Sequence, residues 1–260
     1  MLLAIDVGNT HTVAGVYQGA DLLHHWRVST DRLATVDELA ATHEGILQLR
    51  GGSLTALDHM VVASVVPALT ASYQDLGARY LDRPVLLIGP GVRTGMALAI
   101  DNPHELGADR IANAVAAYRR YGGPCLVVDF GTSTNFDAVS ADGAFLGGAI
   151  APGIEISVEA LIDRAARLFK VDLVAPERAV GKSTVESLQS GIVFGTVAMV
   201  DGLVTRITAE LGLDTTVVAT GGLAGLVCRF SSTIHEHHPF LTLEGLRAIH
   251  ELNVPSARSR

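Results

Sequence analysis

The sequence has almost no cysteine: Cys125 and Cys228 are the two in 260 residues. They are too few and too far apart for a disulfide framework or a zinc knuckle, and their aliphatic neighbours suit buried free thiols. Aromatic residues make up 5% and charged residues 18%, against 48% hydrophobic, which excludes an intrinsically disordered chain. Positive charge is scarce. Lys and Arg number 19 against 27 Asp and Glu, a net charge of −8, and no basic run exceeds Arg119-Arg120. Without clustered cations there is no nucleic-acid footprint, and no nucleic-acid partner is expected. The start, MLLAIDVGNT, lacks the basic residues and long apolar region of a signal peptide. Apolar stretches such as 60–69, broken by Ser64 and Pro67, fall short of the ~20 residues that a bilayer span needs. A cytoplasmic protein without a membrane partner is expected. Proline is sparse at 9 residues, whereas glycine is plentiful at 27. That balance argues for tight turns and close backbone approach over floppy linkers.

Hydrophobic patterning predicts three strands at 2–7, 12–17 and 22–28, with turns at Gly8-Asn9 and Gly19-Ala20. A helix follows Thr35, where Thr35-Val36-Asp37-Glu38 fits a capping box. A buried strand at 60–66, a helix from Pro67 to about residue 81 and a strand at 85–88 come next. After a helical run at 111–121, the second half predicts strands at 126–130, 136–140 and 144–147. Helices follow at 154–169 and 184–211, the second opened by the box Ser183-Thr184-Val185-Glu186. A strand at 215–219 and a closing helix at 243–253 complete the pattern, and 255–260 reads as a disordered tail.

The strongest signal is a repeat. Asp6-Val7-Gly8-Asn9-Thr10 and Asp129-Phe130-Gly131-Thr132-Ser133 both match D-x-G-[NT]-[ST], both follow an aliphatic strand, and both precede another. One such match means little; two in equivalent positions imply a duplicated α/β domain, here placed at 1–115 and 116–254. A strand–turn–strand of small residues can present N–H groups to an anion, with hydroxyls as further donors. Gly8, Asn9, Thr10 and Thr12 offer this in the first copy, and Gly131, Thr132, Ser133 and Thr134 in the second. The aspartates would repel phosphate directly, and make sense with a hard cation between.

Other motifs are weaker. Residues 176–183 resemble a P-loop, but Pro176 replaces its first glycine, and residues 89–95 miss the dinucleotide fingerprint by one position. In Gly107-Ala108-Asp109-Arg110 the glycine permits close ligand approach, and Asp109 and Arg110 offer a base and a cation at a helix start. An acidic residue favoured by the helix dipole, with Arg110 on a solvated face, explains the same residues equally well. Gly221-Gly222 after a strand leaves room for a flat ring, or is a plain turn. His235, His237 and His238 lack the spacing of a metal site and read as a polar loop.

Taken together, the two hairpins and the late strand–Gly-Gly turn resemble the superfamily of acetate and sugar kinases, heat-shock chaperones and actin. In detail the chain resembles the type III pantothenate kinases, through 6–12 (DVGNTHT), 89–95 (GPGVRTG), 102–110 (NPHELGADR), 129–137 (DFGTSTNFD), 147–153 (GGAIAPG), 181–184 (GKST) and 219–222 (ATGG). The resemblance implies duplicated ribonuclease-H-like (actin-like ATPase) domains, mixed sheets flanked by helices. It also implies ATP-dependent phosphorylation of pantothenate on the way to coenzyme A. By the same resemblance, Asp6, Val7, Gly8, Asn9, Thr10, His11, Thr12 and Val13 would form the ATP phosphate loop, with Asp6 on the Mg²⁺ side, and Thr132 would contact ATP from the second loop. Asp109 would be the general base, while Gly107, Ala108, Arg110 and Thr184 would bind pantothenate at a homodimer interface. Asp129 would hold K⁺ or NH₄⁺. The family often has an aromatic residue where this chain has Ile100. The rival expectations are a kinase of the same fold acting on another alcohol, a transcription accessory factor and an actin-like scaffold.

Overall fold

The computed structural model describes residues 1–165, 170–212 and 214–254. The chain divides into two compact units: Met1–Met96 with Asn102–Ala116 and the stretch from Leu241, and Ala97–Asp101 with Ala117–Phe240.

The first unit opens with β1 (Leu2–Val7), β2 (His11–Gln18) and β3 (Asp21–Ser29), followed by α1 (Val36–Gln48), β4 (His59–Ser64), α2 (Pro67–Leu76) and β5 (Val85–Leu87). Its sheet runs β3-β2-β1-β4-β5, with β1 antiparallel to β2 and parallel to β4. The capping box at Thr35 forms as expected: Thr35 Oγ1 accepts from Glu38 N, and the Glu38 carboxylate accepts from Thr35 N. Pro67 occupies the first turn of α2, where no intrahelical N–H is needed. Leu3, Ile5, Val7, Ala14 and Val16 of the sheet pack on Leu39, Ala40, Leu47, Leu69 and Tyr73 of the two helices. A sheet whose central strand is buried on both faces reads as a continuous apolar run, as LLAIDV does.

α3 (Ala108–Tyr121) contains the boundary between the units. The second unit repeats the plan with β6 (Cys125–Phe130), β7 (Ser133–Val139), β8 (Phe145–Pro152), α4 (Ile154–Arg164), α5 (Thr184–Leu211), β9 (Thr216–Thr220), α6 (Ala224–Val227) and β10 (Glu236–His237). Its order, β10-β9-β6-β7-β8, sets β6 antiparallel to β7 and parallel to β9, matching β1 between β2 and β4. Leu126, Val128, Phe130 and Phe136 pack against Ile154, Val158, Val197, Val200 and Val204.

The last helix, α7 (Leu241–Asn253), packs on β1 and β4. Thr242 Oγ1 donates to Asn113 Oδ1 at 2.7 Å, and Gly245 lies so close to the Ala112 carbonyl that a Cβ there would collide with it. The expected division at 116–254 therefore differs from the observed one, because the final helix belongs to the first unit and 97–101 to the second. Other expectations shift as well. β8 extends to Pro152 where a strand at 144–147 was expected, its glycines being required by pairing: a Cβ on Gly148 would collide with the Phe136 carbonyl. α4 ends at Arg164, and residues 166–169 of the expected helix, like the tail 255–260, lie outside the described residues. Only half of the second capping box forms, since Glu186 accepts from Lys182 N instead of Ser183 N.

α5 also corrects the expectation of short apolar runs. It is long and apolar enough to cross a membrane by length and composition, with only 22% of its most apolar window buried. Ser190, Val193, Val197, Val200 and Val204 form one buried stripe at helical spacing. Asp201 accepts hydrogen bonds from Ser231, Ser232 and Thr233, tying the helix to a polar loop of its own unit.

Candidate functional site

The first hairpin loop follows β1. Val7 pairs with Thr12, leaving residues 8–11 as the turn, closed by Gly8 N donating to His11 O at 3.0 Å. Asp6 is half-buried beneath it and faces Val13 across the hairpin. Thr30 clamps the loop from β3's end: its N–H donates to the Thr10 carbonyl at 2.9 Å and its Oγ1 to the Gly8 carbonyl at 2.8 Å. Asn9 and Thr10 are exposed at the tip, where Asn9 Oδ1 accepts from Arg32 Nη2 at 3.0 Å.

The second loop is one residue shorter, since Phe130 pairs with Thr134 and leaves only 131–133. Gly131 N donates to Ser133 O at 3.0 Å, and Thr132 is exposed. Thr12 and its counterpart Thr134 are buried at 3% and 1% exposure, so their hydroxyls face the interior and not an anion at the rim. This corrects the expectation that they serve as outward donors. Thr12 Oγ1 lies 3.0 Å from Thr30 Oγ1, whereas Thr134 Oγ1 has no hydrogen-bond partner among the described residues.

Asp129 pairs with Asn135 on one side and Thr220 on the other, which brings the ATGG segment beside this loop. Gly221 has φ +93°, and a Cβ there would lie 2.6 Å from both Asp129 Oδ1 and the Phe130 carbonyl oxygen. Glycine is therefore required where this turn packs against Asp129 and the Phe130 carbonyl. Among the described residues no three His, Cys, Asp or Glu side chains gather as a metal site. His235 instead accepts from Val217 N at 2.9 Å through Nδ1.

Asp109 stands in the first turn of α3, half-buried. Burial pushes its carboxyl above the ordinary value, opposed by the Arg110 N–H bond at 2.8 Å and by the Arg110 charge. The carboxylate lies over Gly107, where a Cβ would collide with Oδ1 and would stand 3.6 Å from Val65 Cγ1. Val65 N in turn donates to the Val7 carbonyl at 3.1 Å, so Val65 joins this turn to the first hairpin loop. Ala108 and Arg110 are also half-buried. Thr184 is exposed at the start of α5, in the second unit, after the Ser183 cap.

Sequence reasoning missed the buried cluster of Trp26, His43 and Tyr73 in the first unit. Trp26 Nε1 donates to His43 Nδ1 at 3.3 Å, and His43 Nε2 lies 3.0 Å from the Tyr73 hydroxyl. The available signal was a histidine at a buried helical position of α1.

Solved structures share this architecture at low identity. The inorganic polyphosphate/ATP-glucomannokinase of Arthrobacter sp. strain KM has a TM-score of 0.50 at 16% identity, covering 96% of this chain and 97% of that one. The ROK hexokinase of Thermus thermophilus also has a TM-score of 0.50 at 16% identity, covering 96% and 98%. The chain therefore shares the fold of these two kinases, with its two mixed five-stranded sheets. The family model of the type III pantothenate kinases matches residues 2–206. A type III pantothenate kinase of Streptomyces avermitilis is 52% identical over 262 residues, covering 98% of this chain and 99% of the relative. The chain belongs to the type III pantothenate kinases, a family of ATP-dependent phosphotransferases.

Proposed function

We propose that this protein transfers the γ-phosphoryl group of ATP to the 4′-hydroxyl of pantothenate, the first step toward coenzyme A, as a cytoplasmic homodimer. The observation that supports this best lies within the first unit. The raised carboxyl of Asp109, held over Gly107, is linked through Val65 to the hairpin loop at the end of β1. A base and an anion cradle on one rigid scaffold are what phosphoryl transfer needs, since positioning and charge neutralisation dominate its barrier.

In this reading Asp6 to Val13 wrap the triphosphate, largely through main-chain groups, and Thr132 contacts ATP from the second loop. Gly107, Ala108, Arg110 and Thr184 bind pantothenate. Asp109 takes the proton from the 4′-hydroxyl as its oxygen bonds to the γ-phosphorus and the bond to the bridging oxygen of ADP breaks. A carboxylate with a raised pKa is the better proton acceptor, and general-base catalysis is typically worth ~10²–10⁴-fold in rate.

Two cations belong to this proposal. Asp6 supplies the single carboxylate that suffices for Mg²⁺ arriving with substrate phosphates, where the metal would neutralise charge. Asp129 would hold K⁺ or NH₄⁺ through its carboxylate. The homodimer is supported by the apolar groove between α4 and α5, lined by Ile154, Val158, Leu161, Ile192 and Met199, which a second copy would cover. Incubation with ATP and pantothenate, followed by mass detection of 4′-phosphopantothenate, tests the reaction. Product from a sugar alcohol and none from pantothenate would overturn it.

A further inference from the structure

A hydroxyl side chain inside a helix ordinarily bonds back to the carbonyl four residues earlier. On α5, Thr196, Thr205 and Thr208 do so, onto the carbonyls of Ile192, Asp201 and Val204. Ser190 departs from them. The carbonyl at that spacing is Glu186's, yet the Ser190 hydroxyl donates to the Ala179 carbonyl at 2.6 Å, eleven residues back along the chain. Ser190 is 8% exposed, a place where a hydroxyl needs a protein partner.

The neighbouring side chains act on the same incoming segment. Gln189 Nε2 donates to the Asp172 carbonyl at 3.0 Å, and the Glu186 carboxylate accepts from Lys182 N at 2.7 Å. Gly181 completes the seat, since a Cβ there would stand 2.5 Å from Ser187 N and collide with it. Residues 172–182 are thus fastened to the first two turns of α5 at Asp172, Ala179 and Lys182. The chain then passes directly into the Ser183 cap, whose Oγ accepts from Glu186 N at 3.2 Å, and Thr184 follows, exposed at the first helical position. The cap alone suffices to start a helix. The three further bonds set the path by which the chain enters it.

We infer that Ser190 is a positioning residue for pantothenate binding, which anchors the segment 172–183 on α5 and so fixes the turn that presents Thr184. The inference rests on the reading of Thr184 as a pantothenate contact. Apolar packing does little for the end of this segment, where Val180 is 83% exposed, so polar bonds must hold it. Those of Gln189 and Glu186 lie at the surface, where water competes for both partners. The Ser190 bond is the more shielded of the three and stands between them.

Ser190→Ala removes the hydroxyl and puts the best helix former in its place. A turn that visits other positions binds in proportion to the time it spends in the competent one. The Michaelis constant for pantothenate should therefore rise about five- to tenfold, the worth of one ordinary hydrogen bond, while that for MgATP stays within about twofold. Ser190→Thr, which keeps the donor, should lie nearer wild type than Ser190→Ala. The double variant with Thr184→Val should be no worse than Thr184→Val alone, because the anchor acts through Thr184. An unchanged pantothenate constant in Ser190→Ala, equal rises in both Michaelis constants, or multiplying effects in the double variant would each overturn the inference. If Ser190→Ala does not fold, Gly181→Ala reads the same quantities by prising the segment off Ser187 N. Thr184→Val by itself tests the contact. A pantothenate constant unmoved there would overturn the reading of Thr184, whereas a rise there without one in Ser190→Ala would sink only the anchor.

Discussion

The carboxylate of Asp109 rests over the bare Cα of Gly107, at a spot that no Cβ could share. Gly107→Ala must therefore displace the carboxylate while leaving its charge in place. Turnover with pantothenate should fall about 10²-fold, the cost of roughly 1 Å of misplacement, with MgATP affinity retained. Coupled ADP release and calorimetry check this; wild-type turnover would argue against Asp109 as the base.

Asp109→Asn should lower turnover by ~10²–10⁴-fold. The pH profile follows from the raised pKa: activity should fall on acidification at a higher pH than an ordinary carboxyl, with its pKa of 3.8, would give. Stability follows the opposite sense. A carboxyl whose folded pKa is raised contributes stability below its unfolded pKa and loses it as pH rises through the folded one. Ionised Asp109 is thus a cost at neutral pH, and Asp109→Asn should melt no lower than wild type at pH 7.

Gly221→Ala would put a methyl group 2.6 Å from Asp129 Oδ1 and the Phe130 oxygen, at a φ of +93° that disfavours alanine. If Asp129 holds a monovalent cation, wild-type activity should be higher in K⁺ or NH₄⁺ than in Na⁺. Gly221→Ala and Asp129→Asn should erase the difference. Equal wild-type rates in all three salts would remove the cation site.

Acid should loosen the first unit through its histidines. His43 and His250 are buried, and burial lowers each to about 4 from 6.5. Groups with depressed folded pKa values stabilise above the unfolded pKa and lose that contribution as pH falls through the folded one. Urea midpoints should therefore drop between pH 6.5 and 4. His43→Phe should flatten the slope, by up to about 3 kcal/mol across that window.

Gly191 and Gly195 face open space on α5 beside the apolar groove. If two copies pair through this groove, Gly195→Arg should give a monomer in sedimentation velocity where wild type gives a dimer. A wild-type monomer at micromolar concentration would contradict the homodimer.

Local chemistry made much of this structure legible. β1 falls where aliphatic residues run unbroken, α1 starts at its capping box, and the two D-x-G hairpins announce the duplication. Contacts made across long separations were not legible. Periodicity marks 243–253 as a helix, but nothing local says that Gly245 will meet Ala112. Two-residue β10 is too short for any pattern. At the site, the Gly107–Asp109 motif shows small and acidic neighbours but not the carboxylate folded back over the glycine. The Trp26–His43–Tyr73 cluster joins residues of β3, α1 and α2, so no window of sequence contains it.

The placement of α7 bears on how the molecule is made. β1 is synthesised long before α7, so the sheet face it shares with β4 is not covered until residues 241–253 have been added. The second unit, assembled from 97–101 and 117–240, has all its parts before then. On the ribosome, the unit holding the first D-x-G hairpin waits longer for closure, and a chain halted near residue 240 would expose its apolar strands to chaperones or proteases.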